Sequence, residues 1–515
     1  MLELPHQFQA QDALDVVARK LNRSPKALFD KSPRVYFAAA AAIALTGMLF
    51  LLSFPAVAAY ALAVLVNRLV DGQASSLSWQ FAVMALIAAG ALWVTAFLVQ
   101  VKPRTAAGRK LSPDEGGELR ELVSQLRKRY RAPAIASFTV TDRCSVDIMR
   151  VPLGGIPLVF RNHLEIGLPV LLSLSPAHFE GLLAGKIGQL SSRHDKWSGW
   201  LSSQCEVWSL HRSAGMQNRN VPAFVLGALT AWFVPLLAWF SRCAVRRHSL
   251  EFDRYAHDLL SAQDLSDMIA VCVVVERYLE ERYWPTIYKA ADRVAEPAFM
   301  PYANLEQILK HKLEDQDVQR WLREAMSVPD DGISETPVLR ARLEEIGQDR
   351  IGWPVIADET ACHRYLGQSA RAIVADQDRA WIERNRADWK KSFDQSQDDR
   401  DRLRALSMKL ERAPLRGRDA MTYAVLTKKF CDRKDAVQAY RRILEMNPDD
   451  ARIQFGAGKY LISVGDSDGL KALETAMELD KQYVDPACRL ISEFKAHHRK
   501  QASVSKAFRS WAKTG

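Results

Sequence analysis

Two long apolar runs dominate the N-terminal part of the chain. The first extends from Val35 to Val70 with Pro55 inside it, and the second from Leu77 to Val101. A bilayer core needs roughly 20 apolar helical residues, and both runs are longer than that. They therefore predict a transmembrane hairpin over residues 35–101, and Pro55 leaves open whether the hairpin holds two spans or three.

Basic residues stand on both sides of this hairpin. They are Arg19, Lys20, Arg23, Lys26, Lys31 and Arg34 before it, and Lys102, Arg104, Arg109 and Lys110 after it. The short connection from Asp71 to Ser76 contains neither Lys nor Arg. Since cytoplasmic flanks carry the excess of Lys and Arg, both ends of the hairpin and the body of the protein are expected in the cytoplasm.

A third apolar stretch, Pro222 to Phe240, is about the length of a membrane span. Arg219 precedes it and Arg242 follows it. Basic residues on both sides argue against crossing, so we interpret this stretch as a helix in the membrane interface or packed within the domain.

Between the apolar stretches, the pattern changes to short strands and then to helices. Leu119 to Tyr130 has helical periodicity, whereas Ser137–Thr141, Cys144–Val151 and Leu158–Leu174 are rich in Val, Ile and Phe and predict strands. Ser175-Pro176 is typical of a helix start, with a capping Ser before Pro in the first turn. Several Pro and Gly residues between 328 and 359 mark a domain boundary.

The C-terminal part contains two similar helical units. Ala436, Tyr440, Ile443 and Pro448 have the spacing of a tetratricopeptide helix pair, and Gly469, Leu473 and Ala476 occupy the same face about 33 residues later. These residues predict a protein-binding tail. An ordinary helical hairpin is the alternative.

Composition excludes some classes of protein. A net charge of +10 would favour binding to nucleic acid. The chain has no RNA-binding aromatic motif, zinc finger or lysine tract, however, so no nucleic-acid partner is expected. The seven cysteines are scattered and never form C-x-x-C, which indicates a reducing compartment without a disulfide framework.

The segment from Leu174 to Asp195 resembles the zinc helix of membrane metallopeptidases of the HtpX and prenyl-protein-protease type. The residues that match that family's pattern are Leu174, Ser175, Phe179, Leu183, Ala184, Ile187, Gly188 and Leu190. The family's H-E-x-x-H stands here as Gly185-Lys186-Ile187-Gly188-Gln189. The resemblance continues to Arg246–Arg254, where Ser249 occupies the position of the family's third ligand, and to Cys144-Ser145 at the start of its substrate-binding edge strand.

The replaced residues cannot support zinc chemistry at this place. In H-E-x-x-H, two His on one helix face hold the metal and the Glu acts as general base. Gly185 has no ligand atom, Gln189 offers a neutral amide, and Ser249 offers a hydroxyl that stays protonated. Lys186 places a cation where the water-activating carboxylate belongs. His178, His194, His248 and Asp253 lie nearby in sequence and are the candidates for a relocated site.

With this resemblance, the sequence predicts an α+β, mostly helical chain: a transmembrane hairpin, a gluzincin-like peptidase domain with a small sheet, and a tetratricopeptide-like tail. The expected domains are a basic segment (1–34), the hairpin (35–101), a degenerate metallopeptidase-like domain (102–327), a boundary segment and helical linker (328–412), tetratricopeptide-like helices (413–500) and a tail (501–515).

The function expected is that of a pseudo-metallopeptidase without zinc. It would act as a protein-binding scaffold or regulator on a bacterial inner membrane, with vestigial positions Gly185, Lys186, Gln189 and Ser249. The tail residues expected to bind proteins are Ala436, Tyr440, Ile443, Leu473 and Ala476, and an intact homologous peptidase is a candidate partner beside the lipid bilayer. A zinc metalloendopeptidase with a non-standard site and a structural subunit of a membrane complex are the alternatives.

The basic flanks generate a topology prediction. A fluorescent protein fused after Gly515 should fluoresce and alkaline phosphatase fused there should be inactive. Both results indicate a cytoplasmic C-terminus, which is expected because both flanks of the hairpin carry the Lys and Arg excess. Paired alkaline phosphatase and fluorescent protein fusions measure this in cells. Phosphatase activity at the C-terminus would reverse the orientation and require an odd number of spans.

Overall fold

The computed structural model describes residues 25–70, 79–101, 108–191, 193, 195–218 and 220–495. Its chain divides into two compact units. Unit 1 comprises Met1–Ile287 and Phe299–Glu383, and unit 2 comprises Tyr288–Ala298 and Arg384–Gly515. The fold is mostly helical and contains one small sheet.

The N-terminal apolar runs form two helices, α1 (Pro33–Val70) and α2 (Trp79–Gln100). Pro55 lies inside α1 without dividing it. Both helices are long and apolar enough to cross a membrane, as is a third helix described below. The connection between them lies outside the described residues.

A four-stranded sheet follows the membrane helices, with α3 (Gly117–Tyr130) between its first two strands. The strands are β1 (Gly108–Lys110), β2 (Ile135–Thr141), β3 (Val146–Pro152) and β4 (Phe160–Gly167). Their spatial order is β1-β2-β4-β3, with β2 and β4 parallel and the other pairs antiparallel. Strand β3 therefore lies at an edge of the sheet.

One predicted strand is too long. The segment Leu158–Leu174 was expected to be extended throughout, but residues Leu168–Ser173 form helix α4. All six residues of α4 are buried. A short apolar run that is buried on every side has no periodicity to distinguish a strand from a helix, which explains the error.

Three longer helices complete the part of unit 1 that carries the site. They are α5 (Pro176–Ser191), α6 (Lys196–Gln217) and α7 (Val221–His257). The expected start of α5 is confirmed, because the Ser175 hydroxyl accepts a hydrogen bond from the backbone N–H of His178 at 3.2 Å. Asp195 and Asn220 cap α6 and α7 in the same way.

Helices α6 and α7 form an antiparallel pair that packs on the first half of α1. Gly215 approaches Gly227, and Trp208 contacts Phe233 with ring centroids 4.5 Å apart. Since Tyr36 of α1 stacks on Phe240, whereas a Cβ added at Gly47 would contact Phe233, α1 runs antiparallel to α7. The apolar stretch Pro222–Phe240 thus belongs to a 37-residue helix that packs within this bundle and is also long and apolar enough to cross a membrane.

The remaining helices of unit 1 follow α7 along the chain. They are α8 (Ala262–Tyr278), α9 (Trp284–Lys289), α10 (Leu305–Lys312), α11 (Asp315–Ser327), α12 (Leu339–Glu345), α13 (Ala361–Leu366) and α14 (Ala370–Arg412), of which α9 and α14 include the divisions between the units.

The proposed boundary segment, residues 328–359, belongs to unit 1, and the chain enters unit 2 elsewhere, inside α9 and again inside α14. The physical reason is that this segment is attached to α7 and α8. Arg342 pairs with Asp253 at 2.6 Å, and the backbone N–H of Gly352 donates to the Ser266 hydroxyl at 2.8 Å.

Unit 2 contains the predicted repeats. After α14 it contains α15 (Gly417–Phe430), α16 (Arg433–Met446), α17 (Ala451–Ser463) and α18 (Asp468–Leu479), and residues 484–495 are also helical. All five predicted tail residues are buried: Ala436, Tyr440, Ile443, Leu473 and Ala476. Their burial fits an interface between helices, so these side chains support the packing of the tail and are not available to contact a partner directly. The tetratricopeptide assignment itself stays a prediction.

We predict that Tyr440→Ala lowers the free energy of unfolding by about 3 kcal/mol, because Tyr440 is 4% exposed and stacks on Tyr460. Chemical denaturation of the full-length protein measures this. Tyr288→Ala, at a tyrosine of the same unit that is 46% exposed, is the matched control and should cost less than about 1 kcal/mol. Equal losses would show that Tyr440 does not support the helix packing.

Candidate functional site

The site depends on glycines along one face of α5. A Cβ added at Gly185 would lie 2.5 Å from a ring carbon of Phe252, and one added at Gly188 would lie 2.2 Å from Tyr255. Both aromatic residues belong to the second half of α7. The absence of side chains on this face therefore lets α5 and α7 approach each other closely.

Three of the four vestigial positions line one cavity of about 340 Å³. They are Lys186, Gln189 and Ser249. The fourth, Gly185, lies beneath Phe252, whose ring also lines the cavity. The structure therefore brings the four predicted positions together, but an aromatic ring occupies the space that a side chain at position 185 would need.

Lys186 is paired across the cavity with the edge strand. Its Nζ lies 2.9 Å from Oδ1 of Asp147 in β3 and 5.7 Å from the centre of the Phe252 ring. Burial alone would raise the pKa of Asp147, but attraction and hydrogen bonding from Lys186, with a further hydrogen bond from Ser145, hold that pKa below its usual value. The cation is thus compensated by a carboxylate rather than facing an open metal position.

The other two polar positions bond to the backbone of α7. Gln189 donates from its side-chain amide to the carbonyl of His248 at 2.9 Å, and the Ser249 hydroxyl donates to the carbonyl of Val245 at 3.0 Å. Glu251 does not line the cavity; one of its carboxylate oxygens lies 3.4 Å from Nδ1 of His248. Glu251 comes two residues after Ser249 and therefore points to a different side of the helix.

Among the described residues, the candidates for a relocated metal site do not form a group that could hold a metal ion. Asp253 is fully buried and receives two nitrogens of Arg342. His178 lies in the first turn of α5, where burial lowers its pKa. His194 lies outside the described residues. Over the part of the chain that the structure describes, no group of three His, Cys, Asp or Glu side chains could hold a metal ion.

The cavity opens beside the free edge of the sheet. Cys144, Ser145 and Val146 contribute to its wall at the start of β3. The backbone N–H of Gly167 donates to the carbonyl of Ser145, so the odd-numbered residues of β3 bond to β4. Since the bonding direction alternates along an antiparallel strand, Ile148 and Arg150, which are partly exposed, direct their backbone N–H and C=O groups to the outer edge, whereas Val146 is buried. This edge has the polar groups needed to pair with an added strand.

Two thiols lie in the same wall. Burial raises the pKa of Cys144 above its usual value, and burial also raises the pKa of Cys272 to about 11. Because the thiolate is the reactive form of cysteine, both thiols are poor nucleophiles at neutral pH.

Sequence reasoning missed three residues of the site: Phe252 and Arg342, which line the cavity, and Asp147, which pairs with Lys186. The guanidinium of Arg342 lies 5.4 Å from the centre of the Phe252 ring, on which Lys186 also rests. The only signal in the sequence was the pattern around Arg254, which includes Phe252. Asp147 and Arg342 are far from α5 in sequence, so their roles emerge only from the fold.

Comparisons with protein-family models, curated proteins and solved structures find no match to this chain. The metallopeptidase resemblance therefore rests on the motif residues described above.

We predict that Gly185→Ala destabilises the protein by about 1–3 kcal/mol, because the clash with Phe252 outweighs the roughly 1 kcal/mol that alanine contributes to a helix. Thermal and chemical unfolding of the full-length protein measure this. Gly117→Ala is the matched control, since a Cβ at this helical position meets open space. The cost should shrink when Phe252→Leu is also present. An equal response of Gly185 and Gly117 would contradict the close packing.

Proposed function

We propose that this protein is a membrane-anchored, non-catalytic scaffold or regulator that binds protein segments in the cleft between α5 and β3. The observation that carries the proposal is the set of contacts that the four vestigial positions make within the protein. The helix and the cavity are retained, whereas Lys186, Gln189 and Ser249 are each bonded within the protein and Gly185 is covered by Phe252.

The charge at Lys186 opposes the enzyme alternative, a zinc metalloendopeptidase with a non-standard site. A general base for a zinc-bound water must be a carboxylate or a neutral group that accepts a proton. Lys186 is a cation paired with Asp147 and would repel a divalent ion at this place.

The open edge of β3 supports binding of an extended segment. Added strands pair through backbone hydrogen bonds and gain specificity from side-chain pockets beside the edge. Ile148 and Arg150 supply the backbone groups, and the cavity with Phe252 and Met268 supplies a pocket. The tail of unit 2 is the second protein-binding element of the proposal.

The place that we propose is a bacterial inner membrane, with the body in the cytoplasm. The three candidate spans support a membrane protein, and the basic flanks of the hairpin support the orientation. An intact homologous peptidase is the partner that a degenerate member of such a family would regulate.

The test measures binding and cleavage together. Full-length protein should bind fluorescein-labelled unfolded casein without shortening it and should contain no stoichiometric zinc. Ile148→Pro removes an outward N–H from the edge strand and should weaken binding about tenfold, as expected for one lost hydrogen bond of roughly 1.4 kcal/mol. Fluorescence anisotropy, mass spectrometry and elemental analysis provide the three readouts.

Ile148→Val is the matched control, because it keeps the backbone N–H, and it should bind like the unmodified protein. Equal casein affinities of the Ile148→Pro and Ile148→Val variants would show that casein does not pair with the edge of β3. Stoichiometric zinc that disappears on His178→Ala or His248→Ala, together with casein cleavage, would establish the enzyme alternative instead.

A further inference from the structure

Three elements of unit 1 meet at the last turn of α2. The loop between β3 and β4 lies directly against this turn, since a Cβ added at Gly155 would be 2.1 Å from the carbonyl oxygen of Leu98. The buried side chain of His211 in α6 holds the same loop, with its Nε2 2.7 Å from the carbonyl oxygen of Gly155. Because a carbonyl can only accept, Nε2 carries the proton and donates.

The end of α6 lies beside the end of α2 as well. Phe97, Gln100 and Val101 line a cavity of about 410 Å³ together with Leu210 and the last two turns of α6. The turn between α6 and α7 follows immediately at Asn218. The β3–β4 loop and the α6–α7 turn are therefore both neighbours of one helix end.

Both neighbours expose large apolar side chains there. We call this set the apolar rim, and its members are Leu153, Leu158 and Val159 of the loop and Met216, Val221 and Phe224 around the turn. Clusters of exposed apolar side chains on a soluble surface usually mark a place that contacts a membrane or a partner.

The position of the rim favours lipid. Helix α2 has 22 residues, which at 1.5 Å per residue span about 33 Å, close to the thickness of a bilayer core. Lys102 and Arg104 follow it in the sequence, so its last turn is expected at the level of the headgroups. Elements packed against that turn lie at the same level.

The composition of the turn indicates how deep the rim lies. Asn218, Arg219 and Asn220 are polar and stand between the apolar residues Met216 and Val221. Polar groups are costly in the hydrocarbon core but fit the interfacial layer, where apolar side chains reach inward from a polar backbone.

We propose that the apolar rim is a lipid-binding surface that lies in the interfacial layer of the bilayer beside the end of α2. It gives the body a second attachment to the membrane, in addition to the spanning helices. The proposal rests on the membrane anchor that the proposed function includes.

The experiment measures depth in the bilayer with single fluorescent labels. Full-length protein carrying Cys431→Ser and Cys488→Ser receives one added cysteine, is labelled with an environment-sensitive fluorophore and is reconstituted into phosphatidylcholine–phosphatidylglycerol vesicles. The vesicles contain lipids spin-labelled either near the headgroup or near the chain end. Protein without an added cysteine is labelled in parallel, and its signal is subtracted.

Val159→Cys and Phe224→Cys report the rim, and Val355→Cys is the matched control. Val159 is 59% exposed and Val355 is 67% exposed. Val355 follows Gly352, whose backbone N–H donates to Ser266 near the start of α8. The start of α8 comes soon after the C-terminal end of α7, and the 37 residues of α7 place that end about 55 Å from Val221. Leu92→Cys, in the middle of α2 and exposed, reports the membrane core.

The expected result is at least twofold stronger quenching of the two rim labels by the shallow spin label than by the deep one, with no quenching at Val355. Leu92 should respond more strongly to the deep label. If the rim labels are not quenched, as at Val355, while Leu92 is quenched, the proposal that the rim binds lipid is wrong. A protein partner would then be the alternative occupant of the rim.

Two other outcomes also overturn the proposal. Stronger deep quenching at Phe224 would show that α7 crosses the bilayer. Absence of quenching at Leu92 would remove the membrane anchor and, with it, this part of the proposed function.

Discussion

The close approach of α5 to the second half of α7 is the constraint on which the rest of unit 1 depends. Gly181, Gly185 and Gly188 recur at helical spacing, so one face of α5 carries no side chain. Phe252 and Tyr255 fill the space that this face leaves. Because protein interiors are closely packed, a side chain added to this face displaces an aromatic ring of α7.

This packing also decides the chemistry that the cleft can support. With Phe252 above Gly185, the cavity wall includes an aromatic ring that two cations approach, Lys186 and Arg342, and each cation is paired with a carboxylate. Such an arrangement stabilises a shaped pocket. The apolar surface of this pocket and the neighbouring strand edge support the binding role that we propose.

Local patterns predicted the parts of the fold that depend on neighbouring residues. The start of α5 followed from Ser175-Pro176, and the helix Leu119–Tyr130 agrees with α3. The strand prediction failed at Leu168–Ser173 because a fully buried segment carries no alternation. Gly185 was predicted only as a position without a ligand atom, and its close packing against Phe252, 67 positions later, is visible only in the structure. Asp147, the partner of Lys186, and Arg342, the partner of Asp253, are also distant in sequence from the residues that they contact.

The contact between Gly155 and the last turn of α2 fixes how far the cleft can reach. Strand β3 ends at Pro152, just before this loop, and its seven residues extend over about 23 Å. A segment paired along β3 would therefore lie within that distance of the end of α2. If β3 binds a segment as proposed, its position would favour chains that emerge from the bilayer close by, whereas a site of the same chemistry far from the membrane would have no such preference.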